Sequence, residues 1–397
     1  MLNKFLNLNA YNKSHLFDPL HEKENNQDKL AGVLPPSLAK LELSSEKYID
    51  IPEDVFDIYS TYRPTPLYRA REFEKAIRTT CEIYIKDEGA TPTGNHKINS
   101  AYLIAYSCKK DGIKTVATET TGNWGIALAM AAKRFGIKTV CFLDYESHKE
   151  RPNRKALMEG FGADVVIVEP PANQEVKDLL TLSANAAIEF IKRSKGAYYI
   201  FGSVYSYFII PQSVIGLEIK SQLAELDKYP DIVIGTCGGG ANLLGTAGVF
   251  LADIIDERRR ARIVSAEAES CPILSEGKMG LYSIDTLKYY PLIHTYGLDG
   301  LRDGDYVGGL GSTVVASSVA FFHSKGMIEA NRFSSNEAKN AAEMFYRSEG
   351  ILVALETGYT IAAIIKQARE NDNKVIVANI SSGDTDKQFY SNIKRDG

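Results

Sequence analysis

Six short runs along this chain are almost unbroken in apolar and β-branched residues. They are 114–119 (KTVATE), 138–144 (KTVCFLD), 163–169 (ADVVIVE), 231–237 (DIVIGTC), 261–267 (ARIVSAE) and 374–381 (KVIVANIS). Runs of this kind predict strands covered on both faces, since a strand with one wet face alternates apolar and polar residues. Amphipathic stretches at 98–110, 125–135, 153–161 and 241–256 read as helices, and Asp111-Gly112 and Gly136 predict the ends of two of them. Strand alternating with helix predicts an α/β fold of open, mostly parallel sheets with helices on both faces. In such sheets ligands bind beyond the C-terminal ends of the strands, so the loops there are where chemistry is sought.

The length of 397 residues fits two domains. Residues 1–62 read as an N-terminal extension packed on the core, 63–210 as a smaller α/β domain and 211–397 as a larger one. The apolar share of 44% and charged share of 24% are those of an ordinary globular chain. A net charge of −4 without a basic run counts against nucleic acid as a partner, because phosphate backbones need concentrated positive charge. No apolar stretch is long enough for a membrane span, and the first residues lack the pattern of a secretory signal. Cys81, Cys108, Cys141, Cys237 and Cys271 are widely spaced and form no CxxC pair. Together with histidines that lack ligand spacing, this predicts reduced thiols, a cytoplasmic location and no metal site.

Four loops carry candidate chemistry. Thr91-Pro92-Thr93-Gly94-Asn95-His96-Lys97 is turn-rich and ends where a helix begins. The positive end of a helix disfavours an ammonium, and a lysine must be neutral to attack a carbonyl. Read from spacing alone, Lys97 is more readily one of many solvated lysines than a catalytic one. Cys237-Gly238-Gly239-Gly240-Ala241-Asn242 follows an apolar strand and opens a helix, so its backbone N–H groups can approach an anion. It lacks the Lys-Ser/Thr of a P-loop and does not match GxGxxG, which disfavours ATP and dinucleotides; the bland reading is a tight turn. Thr118-Glu119-Thr120-Thr121-Gly122-Asn123 offers hydroxyls, an amide and N–H groups suited to a substrate carboxylate, with Glu119 as an acid or base; the bland reading is a helix cap. The last loop, Asn379-Ile380-Ser381-Ser382-Gly383-Asp384, ends the final apolar run, where a serine could bond a buried heteroatom.

In their order, RPTPLYRAREFEKA (63–76), PTGNHKIN (92–99), TETTGNWG (118–125), RPNRKALMEGFGADV (151–165), CGGGAN (237–242), EGILVALETGY (349–359) and ISSGDTD (380–386) resemble the tryptophan synthase β-subunit family, most nearly its stand-alone, second-type branch. The resemblance spans roughly residues 30–390 and implies a fold-type II pyridoxal 5′-phosphate (PLP) enzyme with two open, twisted sheets. By that likeness Lys97 is the Schiff-base lysine and the proton shuttle at Cα, and His96 lies against the cofactor phosphate. Gly238, Gly239, Gly240, Ala241 and Asn242 form the phosphate loop, with Ala241 standing where the family has a serine. Glu119 helps to expel the β-substituent and assists the nucleophile, and Thr120, Thr121, Gly122 and Asn123 hold the substrate carboxylate. Glu356 is the cofactor-side carboxylate, and Ser381, or Ser382 by a one-residue shift, faces the pyridine nitrogen.

The activity implied is β-replacement on L-serine or an activated serine through an aminoacrylate, with indole as the family's nucleophile, in a cytoplasmic homodimer; an α-type partner subunit is not indicated. The chain departs from the family in a shorter substrate loop, in Tyr359 and Gly311, and in the polar stretch Asp299–Tyr306 (DGLRDGDY), where the family has an apolar segment. That stretch leaves open a related lyase or synthase that uses a polar nucleophile or releases a keto acid and ammonia. A non-catalytic protein retaining the fold is the remaining alternative, and the intact Lys97 and glycine loop count against it.

Overall fold

The computed structural model describes residues 2–11, 23–171, 179–302 and 308–383. Each of the six apolar runs forms a strand, at Thr115–Thr120, Lys138–Asp144, Asp164–Val168, Ile232–Thr236, Arg262–Ala268 and Val375–Ile380. The four amphipathic stretches form the helices Lys97–Lys110, Asn123–Arg134, Asn153–Gly160 and Ala241–Ile255. The continuous apolar runs are explained by two-sided burial: Ile232, Val233 and Ile234 are each at most 1% exposed.

The strands belong to two larger sheets. A four-stranded parallel sheet runs in the order Asp164–Val168, Lys138–Asp144, Thr115–Thr120, Ala197–Tyr199. A six-stranded sheet runs in the order Ile328–Phe333, Arg262–Ala268, Ile232–Thr236, Val375–Ile380, Glu82–Asp87, Leu67–Arg69. It is parallel except for Leu67–Arg69, which pairs antiparallel to Glu82–Asp87. Leu67–Arg69 and Glu82–Asp87 thus join the six-stranded sheet although they precede the four-stranded one in sequence.

The N-terminal segment is anchored by burial. Phe5, Leu38 and Val55 are fully buried, each side chain contributing about 1.5–3 kcal/mol. The Leu6 N–H donates to Ser213 Oγ at 2.9 Å, and Ser206 Oγ donates to Asn9 Oδ1 at 2.9 Å. Both serines lie on the helix Ser206–Ala224, which runs behind the site.

Beneath the Lys97 helix lies a dry ion network. Arg63 bridges Glu88 at 2.9 Å and Glu218 at 2.8 Å, and Lys86 contacts Glu218 at 2.6 Å. Burial alone would raise the Glu88 carboxyl, but Arg63 and then Lys86 outweigh it and hold it at about 2. Two cations and two carboxylates balance, and losing one member would leave a buried charge at a cost of about 3–5 kcal/mol. Asn99, two residues after Lys97, donates from Nδ2 to Glu88 at 2.7 Å and accepts at Oδ1 from Arg63 at 2.9 Å, so the network fixes the helix that presents the lysine.

The five cysteines are free and buried. Among the described residues no helix is long and apolar enough to cross a membrane, and no group of three or more His, Cys, Asp or Glu is placed to hold a metal ion.

Candidate active site

A cleft of about 470 Å³ opens at the C-terminal ends of the strands. It is lined by His96, Lys97, Asn123, the run Gly238–Asn242, Glu356, Ser381 and Ser382, so residues from all four candidate loops and from the EGI motif meet in one place.

The lysine loop is built by local hydrogen bonds. Thr91 Oγ1 donates to the Asn95 carbonyl at 2.8 Å, and Asn95 Oδ1 accepts from the Lys97 N–H at 3.1 Å at the first turn of the helix. The loop is pinned to the end of the last strand, since the His96 N–H donates to the Ser381 carbonyl and the Gly383 N–H to the Gly94 carbonyl, each at 2.9 Å. Lys97 is enclosed by protein except toward the cleft. Burial pulls its ammonium down to about 8; Glu356 and Glu119 restore part of the fall and Arg154 adds to it. A lysine so placed is often neutral near pH 8 and can act as a nucleophile.

The glycine loop follows the strand Ile232–Thr236 and opens the helix Ala241–Ile255. It has no room for side chains. A β-carbon on Gly238 would lie 2.9 Å from the Gly309 carbonyl oxygen, and Gly240, at φ +108°, would strain any L-residue. The N–H groups of a long helix's first turn face the cleft there, and no acidic residue occupies that turn. Asn242 is oriented by two bonds: its Nδ2 donates to Thr236 Oγ1 at 2.9 Å, and its Oδ1 accepts from Asn379 Nδ2 at 2.7 Å.

The third loop divides. Thr120 Oγ1 accepts from the N–H groups of Gly122 and Gly125, both at 2.8 Å, so this hydroxyl shapes the turn. The Thr121 carbonyl accepts from Arg154 Nη1 at 3.0 Å. Gly122, at φ +126°, leaves the space that the Arg154 stem occupies. Of these residues Asn123 lines the cleft, and its Oδ1 is buried without a partner. Glu119 lies at the strand end, outside that lining but close enough to act on Lys97. Burial pushes its carboxyl up to about 7 against the pull of neighbouring donors, the Gly202 N–H among them. The Tyr199 hydroxyl sits beside it without completing a hydrogen bond by distance and angle.

The serines also differ. Asn379, on the last strand, reaches the glycine loop through Asn242, and Ser381, just past the strand's end, lies with its hydroxyl 3.3 Å from Thr357 Oγ1. Ser382 Oγ instead lies 3.5 Å from Asn123 Nδ2, on the substrate-loop side. Glu356 accepts from the Gly309 N–H at 3.2 Å through Oε1, while Oε2 is buried without a partner.

Asn95, Arg154 and Asn379 lie inside the motifs without an assigned role, and Ser203, Gly309 and Gln212 lie outside every motif. Gln212 holds His96 from 116 residues away, so no local motif could reveal it.

The cleft fits a phosphorylated pyridine aldehyde. It offers a backbone cradle that any β-carbon would fill, a lysine depressed toward neutrality, and partnerless acceptors on Glu356 and Asn123 for a ligand's donors. Residues 58–382 match the family model described as "Pyridoxal-phosphate dependent enzyme". The chain is similar to tryptophan synthase beta chain 2 of Methanosarcina acetivorans, 34% identical over 94% of this chain and 88% of that one. It is similar to tryptophan synthase beta chain 2 of Thermotoga maritima, 36% identical over 92% and 90%. It is also similar to the tryptophan synthase beta chain of Thermosipho africanus, 35% identical over 92% and 90%.

Proposed function

The chain belongs to the pyridoxal-phosphate-dependent enzyme family, alongside tryptophan synthase beta chains, and from that membership we propose that it replaces the β-substituent of L-serine or an activated serine with indole, forming tryptophan. The observation that carries this reading is Lys97 in the cleft, drawn down to about 8, with Glu119, drawn up to about 7, behind the lining and close enough to act on it. Two groups of opposite kind, both poised near neutral pH, are what proton movement at adjacent carbons requires.

When bound, PLP supplies the electron sink for the substrate's α-carbon. The N–H groups of Gly238–Asn242 and the helix end would hold its phosphate, with His96 beside them. Ser381 would serve the ring nitrogen, where a neutral hydroxyl would leave it less protonated than a carboxylate and so favour β-chemistry over transamination. Asn123 and the N–H groups of the substrate loop orient the substrate carboxylate. Lys97, depressed toward neutrality in the cleft, would be the group that holds the cofactor and moves the proton at the substrate's α-carbon. Glu119 gives a proton to the departing β-oxygen, and the resulting carboxylate then takes one from the nucleophile.

The core behind Glu119 is aromatic and buried. Tyr199 packs edge-on against Phe201 at 6.4 Å and Tyr290 at 5.6 Å, and Trp124 against Phe208 at 4.9 Å. Arg302 of the polar stretch turns to Glu276 at the surface with its side chain half exposed, while Asp303, Asp305 and Tyr306 lie outside the described residues. A cytoplasmic homodimer with unshared sites completes the proposal, on family analogy.

The test is to supply serine and, separately, phosphoserine, with indole or with small thiols and amines, and to follow the cofactor spectrum and the products. Tryptophan formed at a kcat/KM of about 10⁴ M⁻¹s⁻¹ or more is expected. Use of the polar nucleophiles alone, or release of pyruvate and ammonia without tryptophan, would overturn it.

A further inference from the structure

We propose that Gln212 fixes the tautomer of His96 so that the cofactor phosphate is held through a single shared proton, and that binding the cofactor therefore takes a proton from solution. The inference rests on the phosphate site described above. It concerns a residue, Gln212, that no motif marks and that does not line the cleft.

The direction of every bond in this chain of groups is determined. Ser100 Oγ donates its one proton to the Phe208 carbonyl at 2.6 Å, so its lone pairs can only accept. The group approaching it, 2.5 Å away, is Gln212, which must present Nε2. The same Nε2 lies 3.1 Å from the His96 carbonyl oxygen, which also only accepts. Two independent acceptors thus fix the amide, and its Oε1 is left facing His96 Nδ1 at 2.9 Å. Nδ1 must carry the hydrogen. In the neutral ring Nε2 is then a bare lone pair. Nε2 has no partner among the described residues, and His96 lines the cleft with the glycine loop.

A bare lone pair repels a phosphate dianion. The contact becomes favourable when one proton lies between them, either on Nε2 or on a phosphate oxygen. The balance is the same for both: neutral imidazole, dianion and one proton give a complex of net charge −1. The alternative, turning the amide to accept Nε2–H at the phosphate, would set Gln212 Oε1 against the His96 carbonyl and against a serine whose proton is already given away. The charged groups facing the ring are Lys97, which opposes protonation, and Glu88, which favours it; Gln212 and Ser100 are neutral. In the absence of phosphate the ring is therefore neutral throughout the physiological range, since burial first and Lys97 second pull it down to about 4. A free phosphate monoester loses its second proton near about pH 6, so uptake approaches one proton per site above that pH and vanishes below it.

The experiment uses the full chain freed of its cofactor, and pyridoxine 5′-phosphate, an alcohol that cannot link to Lys97. Titration calorimetry at pH 8 in buffers of different ionisation enthalpy counts the protons taken up. The wild-type count should exceed that of His96→Asn by roughly one proton, which subtracts any contribution from Lys97. Gln212→Leu frees the ring to present Nε2–H and should bring the count down to that of His96→Asn. ¹⁵N spectra of the wild-type protein need no variant: they should show Nδ1–H with bare Nε2 before the ligand and a protonated or shared Nε2 after it. Equal counts in wild type and His96→Asn, or Nε2–H in the ligand-free protein, would overturn the proposal. Failure of pyridoxine 5′-phosphate to bind the wild type would instead overturn the phosphate site itself, and this inference with it.

Discussion

A β-carbon placed on Gly239 would lie 2.3 Å from the hydroxyl oxygen of Ser203. Ser203 itself holds a left-handed backbone, at φ +76°, to bring that hydroxyl against the glycine loop. The loop is thus closed from the opposite wall, and the Gly239 carbonyl is bonded on its other side to the Ala316 N–H at 2.9 Å.

Gly239→Val should therefore keep the fold and lose the cofactor. Overpacking of about 1–3 kcal/mol corresponds to roughly 5–150-fold weaker PLP binding. Equilibrium dialysis checks it; an unchanged affinity would show that the loop is only a turn.

Lys97→Ala should abolish turnover and the absorbance of the internal imine, with the circular dichroism of the wild type retained. Borohydride treatment of the wild type followed by peptide mapping should place the pyridoxyl label on Lys97. A label on another lysine would remove the chemistry assigned to this helix.

Glu119 should govern the pH profile of the first half-reaction. Its carboxyl is raised to about 7, and expelling a β-oxygen needs its acid form. Single-turnover release of the leaving group should slow as pH rises through 7. Glu119→Gln should flatten that limb and lower the rate by about 10²–10⁴. A profile unaltered by the substitution would assign the limb to another group.

Glu42 offers a stability test away from the chemistry. It is fully buried and accepts from the Tyr207 N–H at 2.8 Å, yet burial raises its carboxyl to about 7. A raised carboxyl binds its proton more tightly in the folded state than in the unfolded one, where the value is near about 4.3. Its contribution is greatest below that value and is lost as pH climbs from there to about 7, by up to roughly 3 kcal/mol. Glu119 adds a change of the same sign. Denaturant melts at pH 5 and pH 8 should show Glu42→Gln losing less stability over that interval than the wild type. An equal loss would mean that Glu42 titrates normally.

Arg302→Ala should leave turnover unchanged with any nucleophile, because its side chain reaches Glu276 at the surface, where Arg332 also pairs. Altered selectivity between indole and polar nucleophiles would put the 299–306 stretch back at the site.

The legible part of this molecule was whatever the chain writes locally. A strand covered on both faces has a continuous apolar signature, and a loop at its end has a turn signature; residues from all four candidate loops reached the cleft. Glu82–Asp87 was not legible, because Glu82, Lys86 and Asp87 leave only three apolar residues between them, and Lys86 is buried by partners far from it in sequence, Glu218, Gln222 and the Thr65 carbonyl. The Thr120 hydroxyl accepts from two N–H groups at the helix start, and composition cannot separate that capping role from the binding of a substrate carboxylate, since both need a hydroxyl there. Gln212 and Asn379 act on His96 and Asn242 through contacts that only the folded topology creates.

The strand Val375–Ile380 lies in the middle of the six-stranded sheet, between Ile232–Thr236 and Glu82–Asp87. On the ribosome this order has a consequence. The four-stranded sheet is complete once residue 199 has emerged, but the larger sheet has a gap at its centre until Val375–Ile380 is made. The lysine loop finds its backbone partners at Ser381 and Gly383 only then. A chain cut short before residue 375 lacks a central strand, not an edge, and so exposes two unpaired strand borders at once. Until this strand is made, a nascent chain lacks the sheet centre that brings the lysine and glycine loops together.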